Sequence, residues 1–205
     1  MISAMTTFVL NAQTNSNPIN RFYVDFGGGG ASKGGLFGTV GATAVINNKW
    51  TASISYYDVE MNPKNLPSDY EQGFTLVVII PVPDAMPSVD LKMINFTAGR
   101  FFQLGRKTWI TTEVGPSIVS GNTFHFTPQS VKVDGLHFSA NYSDESKKQT
   151  TVGATLRSDF SWAFCPYVGL NLGAFANLNS IQSPVGAEIK LVAGWLNTKK
   201  KVAKG

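Results

Sequence analysis

The sequence predicts an all-β fold, a single antiparallel up-and-down barrel counted at eight strands with ten as the alternative. Three observations carry this reading. From Arg21 almost to the C-terminus, apolar and polar residues alternate with a period of two, and almost nothing recurs at helical spacing. The connections between the alternating segments sort into a short set and a long set. Only 15% of the 205 residues are charged, against about 25% in an ordinary soluble domain, so something other than water is expected to face much of the surface.

Each element follows from its own pattern. "RFYVDFGG" sets Phe22, Val24 and Phe26 against Tyr23 and Asp25. The glycine run at 27–30 then reads as a flexible hairpin end. "LFGTVGATAVI" is the second strand, and "NNK" at 47–49 makes a tight turn into the third, "WTASISYY". "MINFTAGRFF", "WITTEVGPSIV", "TTVGATLRSDFSWAF", "YVGLNLGAFAN" and "VGAEIKLVAGWL" complete the set. Short turns fall at 47–49, 103–107 and 164–166, whereas long connections occupy 61–89 and 120–149. The apolar run within 72–82 reads as either a strand or part of its connection. Parity favours the connection: with eight strands every short turn lies at one end and every long loop at the other, as in bacterial outer-membrane barrels, whose strand number is even.

The sign of the alternation tells which face is inside. One face of each strand is nearly all Val, Leu, Ile, Phe and Ala, and the other mixes Gly, Thr, Ser and Asn with isolated charges. A soluble barrel would cover its exterior with charge, and these strands carry too little. The small polar face instead suits the interior of a narrow barrel, and closure satisfies every backbone group without an exposed edge. Asp25, Glu113, Arg157, Asp159, Glu188 and Lys190 are then expected in the lumen, with Glu113 beside Arg157 and Asp25 beside Lys190, since buried charges need partners. Tyr23, Phe37, Tyr57, Tyr167 and Phe175 are expected to fill the rest. Arg100 breaks the pattern by sharing a face with Phe96 and Ala98, and either snorkels to the membrane boundary or is turned inward by a bulge. Trp50, Trp162 and Trp195 have outward parity near the short-turn end, as an aromatic girdle requires. Trp109 lies at the same end with inward parity.

Other function classes find little support. No apolar run reaches the roughly 18 residues of a membrane-spanning helix. Lys199, Lys200, Lys201 and Lys204 account for the whole formal net charge of +4, so no basic surface for nucleic acid is expected. The single cysteine, Cys165, excludes an intramolecular disulfide. No metal-ligand spacing and no phosphate loop appears, and no cofactor is expected. Residues 1–12 resemble the end of a secretory signal, 20–197 form the barrel domain, and 198–205 are a basic tail. The expected partners are outer-membrane lipid and an extracellular ligand reached through 61–89 and 120–149.

"NLPSDYEQGF", "AGRFF", "TEVGPSIV" and "GAEIKLVAGWLNTKKK" resemble segments of the small porin-like outer-membrane barrels of Bacteroidetes-type envelopes, over residues 21–201. The resemblance implies an outer-membrane location and an architecture without an assigned activity, leaving envelope structure, surface recognition and limited small-solute passage open. A lysine-rich tail replaces the terminal aromatic of many such barrels. "HFSAN" also looks like the His-x-Ser element of lipid A deacylases, in which His137 would be the base, Ser139 the nucleophile, and Asp144 or Glu145 the orienting carboxylate. A third alternative is a secreted, soluble lipocalin-like barrel with its apolar faces turned inward around an apolar ligand.

Overall fold

The computed structural model describes residues 19–77, 80–84, 86–131, 133–134 and 136–196, with the side chains of 76–83, 133 and 137 outside that description. The proposed signal remnant at 1–12 and the basic tail at 198–205 lie outside the described residues. Among the described residues twelve strands follow in chain order: β1 (Ile19–Ala31), β2 (Gly35–Ile46), β3 (Trp50–Met61), β4 (Phe74–Val77), β5 (Ile80–Pro83), β6 (Val89–Gln103), β7 (Thr108–Pro128), β8 (Val133–Asp134), β9 (His137–Phe138), β10 (Tyr142–Ala163), β11 (Val168–Leu178) and β12 (Val185–Trp195). Eight of them close a barrel in the order β1-β12-β11-β10-β7-β6-β3-β2. The other four form a separate small sheet, β5-β4-β9-β8. The run at 72–82 therefore supplies a short hairpin, β4 and β5, outside the barrel.

Local chemistry explains where the chain turns. Asn47 and Asn48 both have positive φ, 53° and 52°, the paired left-handed geometry of a type I′ hairpin whose twist matches its strands. That turn, 104–107 and 164–167 lie at one end. The hairpin at 32–34, the long connections and 179–184 lie at the other.

Two expectations about boundaries are corrected. The glycine run is not a hairpin end: Gly27, Gly28, Gly29 and Gly30 are paired on both sides within β1, between β2 and β12. A Cβ on Gly27 would lie 2.0 Å from the Ile189 carbonyl oxygen, and one on Gly29 would lie 1.9 Å from that of Ala187. Glycine lets these backbones approach where the barrel closes. The connection expected at 61–89 has those bounds, with β3 ending at Met61 and β6 beginning at Val89. The connection expected at 120–149 is shorter, because strands run into it: β7 and β10 stay paired out to Pro128 and Tyr142. A membrane strand needs about 9–11 residues, so these 21- and 22-residue strands project well beyond any bilayer as a two-stranded ribbon.

Candidate functional site

The interior is layered. At mid-depth the alternation turns Asp25, Glu113, Arg157, Asp159, Glu188 and Lys190 inward, and all six are buried. Glu113 and Arg157 are register partners on β7 and β10, with Arg157 Nη2 2.9 Å from Glu113 Oε2 and Nε 3.1 Å from Asp159 Oδ2. Lys190 Nζ lies 2.6 Å from Glu188 Oε1, 3.1 Å from Asp159 Oδ1 and 3.8 Å from Asp25 Oδ1. Ser53 and Thr97 hydroxyls donate to Glu113, and the Tyr57 hydroxyl donates to Glu188. Asp159 thus bridges the two cations, and the layer joins charges on β1, β7, β10 and β12 with hydroxyl donors on β3 and β6. Space is made by small residues: a Cβ on Gly173 would sit 2.1 Å from Asp159 Oδ1.

Apolar layers close both sides of this one. Toward the short-turn end, Tyr23, Val45, Phe101, Trp109, Ala163, Val192 and Leu196 pack together. The buried Arg21 guanidinium lies 4.5 Å from the Trp109 ring centroid and 4.9 Å from that of Phe101, and it donates a hydrogen bond to Gln103. Toward the long-loop end, Phe37, Tyr57 and Phe175 form a ring cluster with centroids 4.7–5.7 Å apart. Val59, Met61, Val89, Leu91, Met93 and Val119 extend it upward, and Ile181 drops into it from the 179–184 turn. Tyr167 is not part of this filling. It sits in the 164–167 turn at 66% exposure, because the turn ends before the β11 alternation begins.

Above the upper layer, the segment after β3 is tied across the mouth. The Lys64 amide donates to Gln182 Oε1, whose Nε2 donates back to the Asn62 carbonyl. Asn65 Nδ2 donates to the Phe124 carbonyl on the ribbon. Asn141 exchanges bonds with the Glu71 backbone and donates to the Asp69 carbonyl, while the Tyr142 hydroxyl donates to the Asp69 carboxylate at 3.0 Å. That donation raises the Tyr142 hydroxyl above its ordinary range. Phe74 and Phe138 stack at 4.7 Å within the small sheet. Sequence reasoning missed this cap, whose contacts join residues between 59 and 120 positions apart.

Outside, the belt is apolar. Trp50, Trp162 and Trp195 are about half exposed, at 52%, 50% and 51%, whereas Trp109 is fully buried. From Val152 to Trp162, β10 rises about 33 Å, which at a tilt of about 40° is roughly 25 Å of membrane normal. Arg100 faces outward with no bulge in its register, its guanidinium 4.5 Å from the Trp50 ring centroid.

The deacylase residues sit in the cap and ribbon. His137 belongs to β9, Ser139 follows it, and Asp144 and Glu145 pair with Phe126 and His125 in the ribbon. The side chain of His137 is outside the described residues. A lipocalin-like barrel would share this up-and-down topology but would turn its apolar faces inward, whereas here Ile54, Phe96, Leu172 and Ile189 face outward and the six charges are buried.

Neither a protein-family model nor a curated protein matches the chain. Among solved structures, Neisserial surface protein A is similar at 16% identity with a TM-score of 0.51, over 85% of this chain and 96% of that one. The fold is that of a small transmembrane β-barrel. The N-terminal barrel domain of Pseudomonas aeruginosa OprF (8% identity, TM-score 0.49, 86% of this chain and 98% of that one) and the Yersinia pestis protein Ail (9%, 0.48, 85% and 95%) also match.

Proposed function

We propose that this barrel resides in the outer membrane of a bacterial envelope as a non-conducting, non-enzymatic scaffold that presents its cap and ribbon for surface recognition. The observation that carries the reading is the layered lumen: a buried charge layer, in which four carboxylates share Arg157 and Lys190, between two apolar layers and inside an apolar belt of membrane thickness. Ions crossing such a lumen would have to displace buried aromatic rings and then break salt bridges in a low-dielectric site. That leaves the long-loop end, taken as extracellular by the barrel rule that short turns face the periplasm, to carry any recognition. Rigid scaffolds with irregular, exposed connections place function there. The resemblance to Bacteroidetes-type barrels belongs to this proposal and adds the same location.

Planar-bilayer recording of the reconstituted protein tests it. The expected result is no steady conductance, alongside a boiling-dependent shift in gel mobility that reports a closed barrel. Stable channels would move the reading to solute passage. An aqueous protein without the shift would remove the membrane altogether.

A further inference from the structure

The lipid-facing belt carries a concave site across β1, β2, β3, β6 and β7. Phe22, Ala44, Ala52, Ala98 and Val114 are register-matched outward positions on β1, β2, β3, β6 and β7. The three central members of this row are alanine. In the next row toward the long-loop end, Ala42 continues the floor while Ile54 and Phe96 stand up as a wall. The result is a groove of about 520 Å³ lined by apolar side chains. Toward the short-turn end the same registers place Trp50 and Arg100 directly below Ala52 and Ala98.

Arg100 makes the groove more than a run of small residues. Its guanidinium lies against the Trp50 ring, and no carboxylate among the described residues pairs with it. The outward carboxylates of the same strand pair, Asp58, Glu60 and Asp90, lie at the opposite end. A guanidinium at the membrane boundary without an acidic neighbour is suited to a lipid phosphate, which it can bind through two parallel hydrogen bonds.

We propose that the groove and Arg100 together hold one phospholipid of the periplasmic leaflet, with an acyl chain on the alanine floor and its phosphodiester on Arg100. This rests on the membrane reading above. The groove spans about 13 Å along the strands from Arg100 to Phe96, so one lipid reaches both features. An acyl chain there restores the dispersion contacts that alanine leaves unmade. Trp50 holds the guanidinium flat at the headgroup level. The charge complement distinguishes a lipid from a second barrel, whose own belt would bring no anion to Arg100.

The test is native mass spectrometry of the full chain, reconstituted in vesicles of phosphatidylethanolamine and phosphatidylglycerol and re-extracted in mild detergent. Wild type is expected to retain one phospholipid per barrel. Arg100→Gln, which removes the charge, and Ala98→Leu, which fills the floor, are each expected to lose it while keeping the boiling-dependent mobility shift. Diacylglycerol added to the same vesicles, which lacks the phosphate, is expected not to be retained. A wild-type barrel that emerges lipid-free or as a lipid-free dimer overturns the proposal. So does either variant that keeps the lipid, or diacylglycerol retained as well as phospholipid. Absence of the mobility shift in wild type would instead defeat the membrane reading itself.

Discussion

The two halves of the barrel carry opposite polarity on the same alternation. In the belt, β3 and β6 turn Ile54, Ile94 and Phe96 outward and Ser53, Asn95 and Thr97 inward. A few residues further toward the long-loop end, the same strands turn Asp58, Glu60, Asp90 and Lys92 outward and Val59, Met61, Leu91 and Met93 inward. Strand parity does not change between the two; only the sign does. Where lipid surrounds the strands the apolar face is outside, and where water surrounds them the barrel has an ordinary apolar core. The level of inversion therefore marks the membrane boundary, and it lies near Tyr56 on β3.

Substitutions that exchange the rules of the two halves give the clearest tests. The largest effect is expected from Arg157→Leu, which strips Glu113 and Asp159 of their shared cation. Breaking a buried ion pair from one side costs about 3–5 kcal/mol, so the variant should lose the boiling-dependent shift or unfold far earlier in a detergent-urea titration. Next, Leu172→Arg on the outward face of the belt should cost about 2–4 kcal/mol. Asp58→Leu, equally outward but beyond the inversion, should change stability by no more than about 0.5 kcal/mol. Equal costs for these two would erase the boundary at Tyr56.

A middle effect is expected for Gly173→Val, which pushes a branched side chain into the space held by Asp159 and Glu188. Overpacking of this kind costs about 1–3 kcal/mol, again read by urea titration. The smallest effect is expected for Tyr142→Phe in the cap, which should speed proteolysis of 62–73 without changing barrel unfolding. Because the Tyr142 hydroxyl is raised above its ordinary value, its contribution is present below about pH 10 and lost as pH rises through the shifted value. Wild type should therefore become more protease-sensitive in the cap above that pH, and the Phe variant should show no such step.

Parity was legible from the chain because a period of two needs no knowledge of partners. Thus the inward placement of Asp25, Glu113 and Lys190 could be read from spacing, as could the outward placement of Trp50, Trp162 and Trp195. Pairing of Glu113 with Arg157 was also readable, since both sit at mid-strand on segments joined as neighbours. The upper apolar layer was not readable. The apolar–polar alternation of "WTASISYY" and "MINFTAGRFF" stops short of Asp58, Glu60, Asp90 and Lys92, because there the outward positions turn charged while the strands stay paired. The glycine run misled for a related reason: glycine signals a turn unless a neighbouring backbone occupies the missing Cβ position, and that neighbour, β12, is about 160 residues away in the chain.

Sequence alone determined the all-β class, the sorting of short turns to one end and the identity of the two faces of the belt, and it favoured eight barrel strands over ten. All of these depend on local alternation and turn chemistry, which act within a few residues. Tertiary structure decided the rest: the sealing of the lumen by two apolar layers, the bridging of Arg157 and Lys190 by Asp159, and the cap held by Asn141, Gln182 and Tyr142. It also decided the alanine groove above Arg100. Each of these depends on strand register and barrel closure, which bring together residues that have no relation along the chain.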